Sequence, residues 1–424
     1  MIFEKIRVIM PDFTVSDDMY VVVTDNRISY VGNKPPREAV RTAHRRIDGS
    51  GRLLMSGFYN IHTHSPMTLL RGYGENLSLS DWLNKKIFPF EARMTPEDAR
   101  AGALLACAEM IRGGVVSFTD MYYFGEMLFE ACEEAGLKAN ISVPVTCFDG
   151  SDPDGLPSVT EMRRLSHRGD ILLDYSIHAE YTSDRRTVEL VAREAAERGV
   201  RLHIHLSETQ AEHEECKVRH SMTPARYFES CGAFDVPVTA AHCVWLEPED
   251  VEMFSRRGAF VAVNTVSNMK LASGFCDLPA LIGAGVKFGL GTDGAASNNT
   301  LGMLHELRAF ATVYKGAYRD PSLITPAMAL EAATVSGARS QGRDGGTIET
   351  GKPADLIMLD VTSERYCPGY DLVTDIVYGA QDSDIVMTMV NGRVLYENGE
   401  FTSLDIERLK YEVKAAKERI LCRM

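Results

Sequence analysis

Two patterns of hydrophobic and polar positions divide the chain. Near both ends, short apolar or alternating runs are separated by turn residues, which predicts β-strands. Asn391-Gly392 lies between two such runs, and this dipeptide is a strong signal for a β-hairpin. We expect the two ends to form one small β-sandwich domain, residues 1–56 plus 346–402, with strands at residues 20–24, 27–31, 355–360, 385–390 and 393–396.

Between the two ends, short apolar strands alternate with segments of helical spacing, for example residues 187–198. The predicted strands number eight: one ends at His62, and the others are residues 115–119, 137–143, 171–177, 200–206, 238–241, 260–263 and 286–290. Eight strand–helix units predict an α/β fold, a TIM-like (β/α)8 barrel over residues 57–345. A doubly wound open sheet is the alternative, but no glycine-rich dinucleotide fingerprint follows the first strand.

The last part of the chain predicts one more helix. Apolar residues recur there at helical spacing, at Ile406, Leu409, Val413, Ala416 and Ile420. They indicate an amphipathic helix within residues 403–424, packed on the body of the protein or on a partner subunit. We assign this helix no catalytic role. It is compatible with a homodimer or a homotetramer, and we expect a homo-oligomer.

Composition narrows the class of protein. The net charge is −14, and no run of lysine and arginine offsets it, so we expect no nucleic-acid partner. No segment has the length of a transmembrane helix, and the first residues lack the apolar stretch of a signal peptide. Nine cysteines without a Cys-x-x-Cys pair are typical of reduced thiols. We therefore expect a cytoplasmic protein without a membrane partner, and we exclude the zinc deaminases built on Cys-x-x-Cys.

His62 and His64 are the most informative pair in the chain. Side chains alternate along a strand, so two histidines two residues apart point to the same side. In a barrel, His205 would join them from the fifth strand and Asp293 from the eighth, all at carboxyl ends. Three imidazoles and one carboxylate suit Zn²⁺, and Fe²⁺ is also acceptable. We predict one divalent metal per subunit, with Asp293 as a direct ligand or as a longer, shared one.

Two more side chains are placed to move protons. Glu208 lies three residues after His205, where it can protonate a ring nitrogen as hydroxide attacks the neighbouring carbon. His242, at the end of the sixth strand, can orient the water or accept its proton, and Asp293 can do the same. His203 points the same way as His205 but lies deeper, and we interpret it as a packed residue of the barrel interior. Each residue alone is more often structural, but their joint position at strand ends favours catalysis.

The chain resembles the amidohydrolase superfamily in its mononuclear deaminase branch. It is most similar to the 5′-methylthioadenosine/S-adenosylhomocysteine deaminases and the related 5′-deoxyadenosine deaminases. The resemblance covers nearly the whole chain, and its specific segments are residues 57–72, 79–83, 205–209, 267–274, 291–299 and 351–357. It implies hydrolytic deamination of an adenine nucleoside such as 5′-deoxyadenosine, 5′-methylthioadenosine, S-adenosylhomocysteine or adenosine, giving the inosine analogue and ammonia.

The resemblance also assigns roles to individual residues. The metal ligands of the family correspond to His62, His64, His205 and Asp293, and its acid and base to Glu208 and His242, with Glu208 also contacting substrate. Trp82 would pack against the purine, and Glu91 and His178 would hold the ribose hydroxyls; only the resemblance singles out these three. Binuclear members carry a carboxylated lysine on the fourth strand, but residues 175–181 contain no lysine, which favours a single metal.

Two departures from the family bear on the substrate. Members that bind a homocysteine tail pair its carboxylate with arginines after the third strand, whereas this chain has no Arg or Lys between Lys138 and Arg163. Asp149, Asp152 and Asp154 lie there instead, so we expect a preference for neutral 5′ groups. The other departure is segment 263–265, Val-Asn-Thr, where relatives often carry His and Pro and to which we assign no role.

Other functions remain open at this point. Another deaminase or chlorohydrolase of the branch would act on guanine, cytosine or an s-triazine, and an imidazolone-type C–N hydrolase is a further alternative. A non-catalytic metal-binding barrel is the alternative from another class. The presence of both Glu208 and His242 argues against it, because a structural metal site needs neither.

Overall fold

The structure, a computed structural model, describes residues 1–147 and 149–424. Its strands in chain order are β1 (Ile2–Ile9), β2 (Val15–Thr24), β3 (Arg27–Gly32), β4 (Arg46–Asp48), β5 (Arg52–Ser56), β6 (Phe58–Thr63), β7 (Val115–Met121), β8 (Lys138–Ser142), β9 (Pro144–Val145), β10 (Ile171–Leu173), β11 (Tyr175–Ile177), β12 (Leu202–Leu206), β13 (Val238–His242), β14 (Phe260–Val263), β15 (Lys287–Leu290), β16 (Leu356–Asp360), β17 (Ile385–Val390), β18 (Arg393–Glu397) and β19 (Glu400–Phe401).

The helices surround the strands that form the middle of the chain. In chain order they are α1 (Arg37–Thr42), α2 (Leu79–Trp82), α3 (Phe88–Glu91), α4 (Pro96–Arg112), α5 (Gly125–Ala135), α6 (Pro157–Arg164), α7 (Arg185–Arg198), α8 (Gln210–His220), α9 (Pro224–Ser230), α10 (Pro248–Arg257), α11 (Thr265–Lys270), α12 (Leu278–Gly283), α13 (Met303–Tyr318), α14 (Pro326–Ala333), α15 (Val335–Ser340), α16 (Leu372–Gly379) and α17 (Ile406–Arg423). A π-helical turn, Leu83–Ile87, joins α2 to α3.

The barrel has all eight predicted strand positions. Parallel ladders run β6–β7–β8–β10 and β9–β11–β12–β13–β14–β15, because the third position is split into β8 and β9 and the fourth into β10 and β11. At the closing seam the backbone N–H of Asp293 donates to the carbonyl oxygen of His62, at 2.9 Å. Parallel strands place all their carboxyl ends at one mouth, so the segments that carry the candidate residues all end on the same side of the barrel.

A separate mixed sheet is built from both ends of the chain. Its order is β19–β18–β17–β16–β5–β1–β2–β3, with β4 paired to β1. The antiparallel pair β16–β5 joins the two ends, with Ile357 opposite Met55. One face buries an apolar cluster that includes Phe3, Ile6 and Met387. The predicted combination of a barrel and a β-domain from both termini is confirmed, while the boundaries 1–56, 57–345, 346–402 and 403–424 stay predictions.

Buried polar contacts hold the mixed sheet against the barrel. Lys138 Nζ of β8 lies 2.6 Å from Asp355 Oδ2 just before β16, and both side chains are buried. The hydroxyl of Tyr59 in β6 donates to the same carboxylate at 3.2 Å, and the backbone N–H of Asn391 donates to Asp355 Oδ1 at 2.9 Å. A buried charge is tolerated only when it is paired and hydrogen-bonded, so this carboxylate fixes where the two bodies meet.

The last helix lies on the barrel body rather than standing free. Leu409, Ala416 and Ile420 of α17 are buried against it, and Arg419 Nη2 and Arg423 Nη1 lie 2.6 and 2.7 Å from the buried carboxylate of Asp98 in α4. Of the two predicted packing sites for this helix, the body of the protein is the one observed. No helix in the described ranges is both long enough and apolar enough to cross a membrane.

Candidate active site

Four predicted ligand side chains meet at the barrel mouth. His64 Nε2 lies 3.2 Å from Asp293 Oδ1 and 3.2 Å from His205 Nε2, and His62 Nε2 lies 3.4 Å from Asp293 Oδ1. His62 belongs to β6 and His205 to β12, while His64 directly follows β6 and Asp293 lies three residues after the end of β15. The strand-end positions expected from the sequence thus bring three imidazoles and a carboxylate to one point.

The other ring nitrogen of each imidazole is held by a neighbour. His64 Nδ1 donates to the carbonyl oxygen of Met121 at 2.6 Å, and His205 Nδ1 donates to that of His178 at 2.7 Å. His62 Nδ1 lies 2.8 Å from His203 Nε2. A proton on Nδ1 leaves the Nε2 lone pair directed at the cluster, which is the arrangement of metal-ligating histidines.

The donor set fits a divalent metal ion. The ligand atoms of His62, His64 and His205 all lie within 4.8 Å of one another, as do those of His62, His242 and Asp293. His62 Nε2 is buried and lacks a hydrogen-bond partner among the described residues. A buried ring nitrogen without a partner costs free energy, and a metal ion at this point would satisfy it.

The Asp293 carboxylate is oriented by two hydroxyls. Ser267 Oγ and Ser297 Oγ donate to Asp293 Oδ2 at 2.6 and 2.9 Å, so Oδ1 is the oxygen that faces the histidines. The backbone of Asp293 has a φ of 60°. A non-glycine residue in this left-handed region is uncommon, and such strain concentrates at functional sites. Neither the serine pair nor the backbone geometry follows from the spacing of the ligands in sequence.

Gly291 is required at the end of β15 by the close approach of two neighbouring strands. A Cβ atom there would lie 2.4 Å from Asn264 Oδ1 and 2.8 Å from His62 Cβ. Both distances are far below a normal contact, so any side chain at this position would displace His62. The glycine in the Gly-Thr-Asp-Gly segment therefore keeps β15 close to β6, and Asp293 close to His62.

The pKa values of the four clustered side chains favour the unprotonated forms that bind a metal, except for His64. Burial lowers the pKa of His62 to about 4 and that of His205 well below its usual value. Burial alone would raise the pKa of Asp293, but the adjacent imidazoles of His62 and His64 outweigh it and hold that pKa well below its usual value. Burial alone would lower the pKa of His64, but the neighbouring Asp293 carboxylate raises it to about 9. Metal binding would therefore release a proton from His64.

Glu208 and His242 face each other across the cavity. Glu208 Oε2 lies 3.7 Å from His242 Nε2, and burial raises the pKa of the Glu208 carboxyl. His242 Nδ1 donates to Asn268 Oδ1 at 2.8 Å, and its backbone has a φ of 71°. The carboxylate of Glu212 accepts from the backbone N–H groups of Ser207 and Glu208 at 2.9 and 2.8 Å. Hydrogen bonds therefore orient both candidates: Asn268 orients the His242 ring, and Glu212 holds the backbone at Glu208.

The three substrate contacts taken from the family resemblance line the same cavity. Trp82 is only 5% exposed, and burial lowers the pKa of His178 to about 4. Burial raises the pKa of Glu91 to about 7, although a 2.6 Å hydrogen bond from the Tyr122 hydroxyl opposes this rise. Glu91 and Tyr122 lie 31 positions apart in the chain, and no sequence pattern links them.

The structure brings the predicted residues together with one difference in depth. His62 is fully buried and does not line the cavity. All the other predicted site residues line it: His64, Trp82, Glu91, His178, His205, Glu208, His242 and Asp293. Sequence reasoning assigned no role to Tyr122, Glu212 or Asn268. Asn268 lies in segment 267–274, one of the segments that carry the family resemblance, and this position was the only sequence feature that pointed to it. In segment 263–265, Asn264 Nδ2 lies 3.3 Å from His242 Nδ1.

Comparison with known proteins agrees with this architecture. A model of the Amidohydrolase family matches residues 53–395, which include the whole barrel and the part of the mixed sheet from β5, β16 and β17. The chain belongs to the amidohydrolase family. The predicted superfamily is thereby confirmed, and among the amidohydrolases this chain is similar to several named deaminases.

Two curated relatives and one solved structure show where this amidohydrolase lies in the family. It is 41% identical over 372 residues to a 5-methylthioadenosine/S-adenosylhomocysteine deaminase of Dictyoglomus thermophilum, covering 87% of each chain. It is 36% identical over 410 residues to a 5′-deoxyadenosine deaminase of Methanosarcina mazei, covering 95% of this chain and 94% of the relative. A zinc-bound adenosine deaminase from Xanthomonas campestris superimposes with a TM-score of 0.93 at 30% identity, over 99% and 98% of the two chains.

These likenesses support a divalent metal ion as the cofactor. The amidohydrolase family, a zinc-bound neighbour and the cluster of three histidines and Asp293 indicate a divalent metal. The choice between Zn²⁺ and Fe²⁺ stays a prediction, since imidazole and carboxylate ligands accept both ions.

Proposed function

We propose that this amidohydrolase deaminates adenine nucleosides hydrolytically, replacing the 6-amino group of the purine with a carbonyl and releasing ammonia. The observation that carries the proposal is that Glu208 and His242 line the same cavity as the predicted metal ligands His64, His205 and Asp293. Glu208 Oε2 and His242 Nε2 are 3.7 Å apart there. The named deaminase relatives, which align over most of the chain, support the choice of an adenine nucleoside. A small-molecule nucleoside is therefore the partner that we assign to the cavity.

The metal would be held by His62, His64, His205 and Asp293. When bound, a divalent ion supplies Lewis-acid activation of water at neutral pH, and Zn²⁺ is our first choice. The chain's own residues then act on the substrate and on the protons. Ser267 and Ser297 hold Asp293 Oδ2, so that Oδ1, which faces the histidines, can accept a proton from the attacking water.

Glu208 acts as the acid that protonates purine N1 while water attacks C6. Its raised pKa, caused by burial, increases the protonated fraction that this step requires. His242, whose Nδ1 is bound to Asn268, presents Nε2 to the water and holds it on the C6 side. The proton taken from the water passes to the departing amino group and ammonia leaves. The hydroxyl left on C6 gives up its proton, which restores Glu208, and the carbonyl forms.

Trp82, Glu91 and His178 position the nucleoside. The Trp82 ring packs against the purine and, with Phe88 and Leu271, excludes water from one side of it. Glu91, held by Tyr122, accepts hydrogen bonds from the ribose hydroxyls, and the neutral His178 ring contacts the same sugar. This binding fixes C6 over the cluster, which lowers the entropy cost of reaching the transition state.

The test is ammonia release, with the accompanying ultraviolet shift, from 5′-deoxyadenosine offered to protein loaded with Zn²⁺ or Fe²⁺. We expect rapid turnover of an adenine nucleoside and none of guanine, cytosine or an s-triazine. Turnover of one of those three bases without turnover of any adenine nucleoside would contradict the proposal. Light scattering of the same sample tests the expected homo-oligomer.

A further inference from the structure

A second cavity adjoins the active site and is not used by the mechanism above. It has a volume of about 570 Å³. Four residues line both cavities: Phe88, Glu91, Tyr123 and His178. Glu91 and His178 are the residues that we propose to hold the ribose, so the sugar would lie at the junction. A group attached to the sugar on the side away from the purine would then enter the second cavity.

The wall of this second cavity is mainly apolar. Phe124 lies after β7, the second barrel strand, and Val143 after β8 of the third, while Leu156 and Pro157 lie at the start of α6. An apolar group bound here gains the free energy of leaving water.

The charges at this cavity disfavour an anion. Its charged lining residues are Glu91 and Glu161, and no lysine or arginine lines it within the described residues. Arg163, in α6, is instead paired with Asp154 and Glu194, each with a 2.5 Å contact. Desolvating a carboxylate without a cationic partner and beside other carboxylates is costly.

The acidic segment identified in the sequence does not line this cavity. Asp149, Asp152 and Asp154 are absent from the lining residues; Asp149 and Asp152 accept hydrogen bonds from backbone N–H groups within their own loop. The carboxylates that directly line the cavity and would repel an anionic tail are therefore those of Glu91 and Glu161.

We propose that the second cavity is the subsite for the 5′ substituent and that it accepts uncharged, apolar groups larger than methylthio. This inference rests on the proposed function, since it uses the ribose position assigned to Glu91 and His178. It commits the enzyme to adenine nucleosides with alkylthio or similar apolar 5′ groups. Nucleosides whose 5′ tail ends in a carboxylate are poor substrates.

The experiment compares kcat/KM for a matched series: 5′-deoxyadenosine, 5′-methylthio-, 5′-butylthio- and 5′-(3-carboxypropyl)thio-5′-deoxyadenosine. We expect each added methylene to raise kcat/KM about two- to fourfold. The carboxypropyl compound should fall at least tenfold below the butyl compound. Equal or faster turnover of the carboxylate, or a steady loss of kcat/KM with chain length, would overturn the inference.

A charge introduced at the rim gives an independent test. Ser158, at the start of α6, lines the cavity, and Ser158→Lys would add a cation there, with Ser158→Met as the neutral control of similar length. The ratio of kcat/KM for the carboxypropyl compound to that for the butyl compound should rise at least tenfold in the Lys variant over the Met variant. An equal ratio in both variants overturns the assignment.

The two proposals fail in different ways. 5′-Deoxyadenosine does not extend beyond the junction and is the reference substrate. If it is not turned over by metal-loaded enzyme, the proposed function is contradicted, and this inference with it. If it is turned over but the tail series shows the opposite trend, only the subsite is wrong.

Discussion

His62 Nδ1 lies 2.8 Å from His203 Nε2, so a histidine of the barrel interior holds a predicted metal ligand from behind. Since His62 Nε2 faces the cluster, its proton lies on Nδ1 and His203 Nε2 accepts it. The interpretation of His203 as a packed interior residue agrees with its 1% exposure. The structure adds a hydrogen bond that orients His62, and the partner of a metal-ligating histidine strongly affects metal affinity.

Replacing His203 should therefore weaken metal binding without removing any ligand. We expect His203→Phe, which has no acceptor, to lower zinc affinity about 10- to 100-fold. His203→Gln keeps an acceptor oxygen and should lose less. Competition with a chelator measures the affinity, and a thermal melt of the apo forms checks folding. Equal affinity in the Phe and Gln variants would show that the contact has no orienting role.

Glu208→Gln should leave the metal bound while activity falls. Because the amide cannot donate the proton required at N1, we expect kcat to drop roughly 100- to 10,000-fold. Metal content by atomic absorption and kcat for 5′-deoxyadenosine are the two readouts. Glu215→Gln, in the same helix region but exposed, is the matched control and should behave as wild type. Near-normal kcat in the Glu208→Gln variant would remove Glu208 from the mechanism.

The pairing of Tyr122 with Glu91 predicts a pH effect on substrate binding. The pKa of Glu91 is about 7, raised by burial, so the carboxylate that accepts the ribose hydroxyls forms as the pH rises through 7. KM for a ribonucleoside should fall from pH 6 to pH 8. Tyr122→Phe removes a hydrogen bond that lowers this pKa, so the fall should move to higher pH.

The control for this pH effect is 2′,3′-dideoxyadenosine, whose sugar lacks both hydroxyls. Its KM should change less between pH 6 and pH 8, in wild type and in Tyr122→Phe. If both substrates show the same pH profile, the titrating group is not acting through the ribose, and the role of Glu91 is wrong.

Breaking the buried pair between the barrel and the mixed sheet should destabilise the protein. In Lys138→Met, Asp355 keeps hydrogen bonds from Tyr59 and Asn391 but loses its only ion pair among the described residues. Removal of one partner of a buried ion pair costs about 3 to 5 kcal/mol. Urea unfolding measures the loss. Lys410→Met removes an exposed ion pair with Glu407 and should change stability by less than about 1 kcal/mol.

The parts of the site that depend on strand periodicity were predictable from sequence. His62 and His64 share a side because of period two, and the barrel topology brings His205 and Asp293 to them. Contacts between distant residues were not predictable, because no local pattern connects Tyr122 to Glu91 or His203 to His62. The positive φ of His242 and Asp293 was also invisible, since it results from the packing of strand ends.

The pairing of β16 with β5 has a consequence for how the molecule assembles. Leu356 is opposite Ser56, 300 positions earlier, and β6 with His62 begins two residues after β5. As the ribosome delivers the chain from its amino end, β5 can pair with β1 at once, but with β16 only after the whole barrel has been synthesised. Long-range strand pairing is slow because loop-closure entropy is lost before contacts form. The strand that carries His62, the first predicted metal ligand, is therefore preceded by a strand whose pairing with β16 must wait for nearly the whole chain.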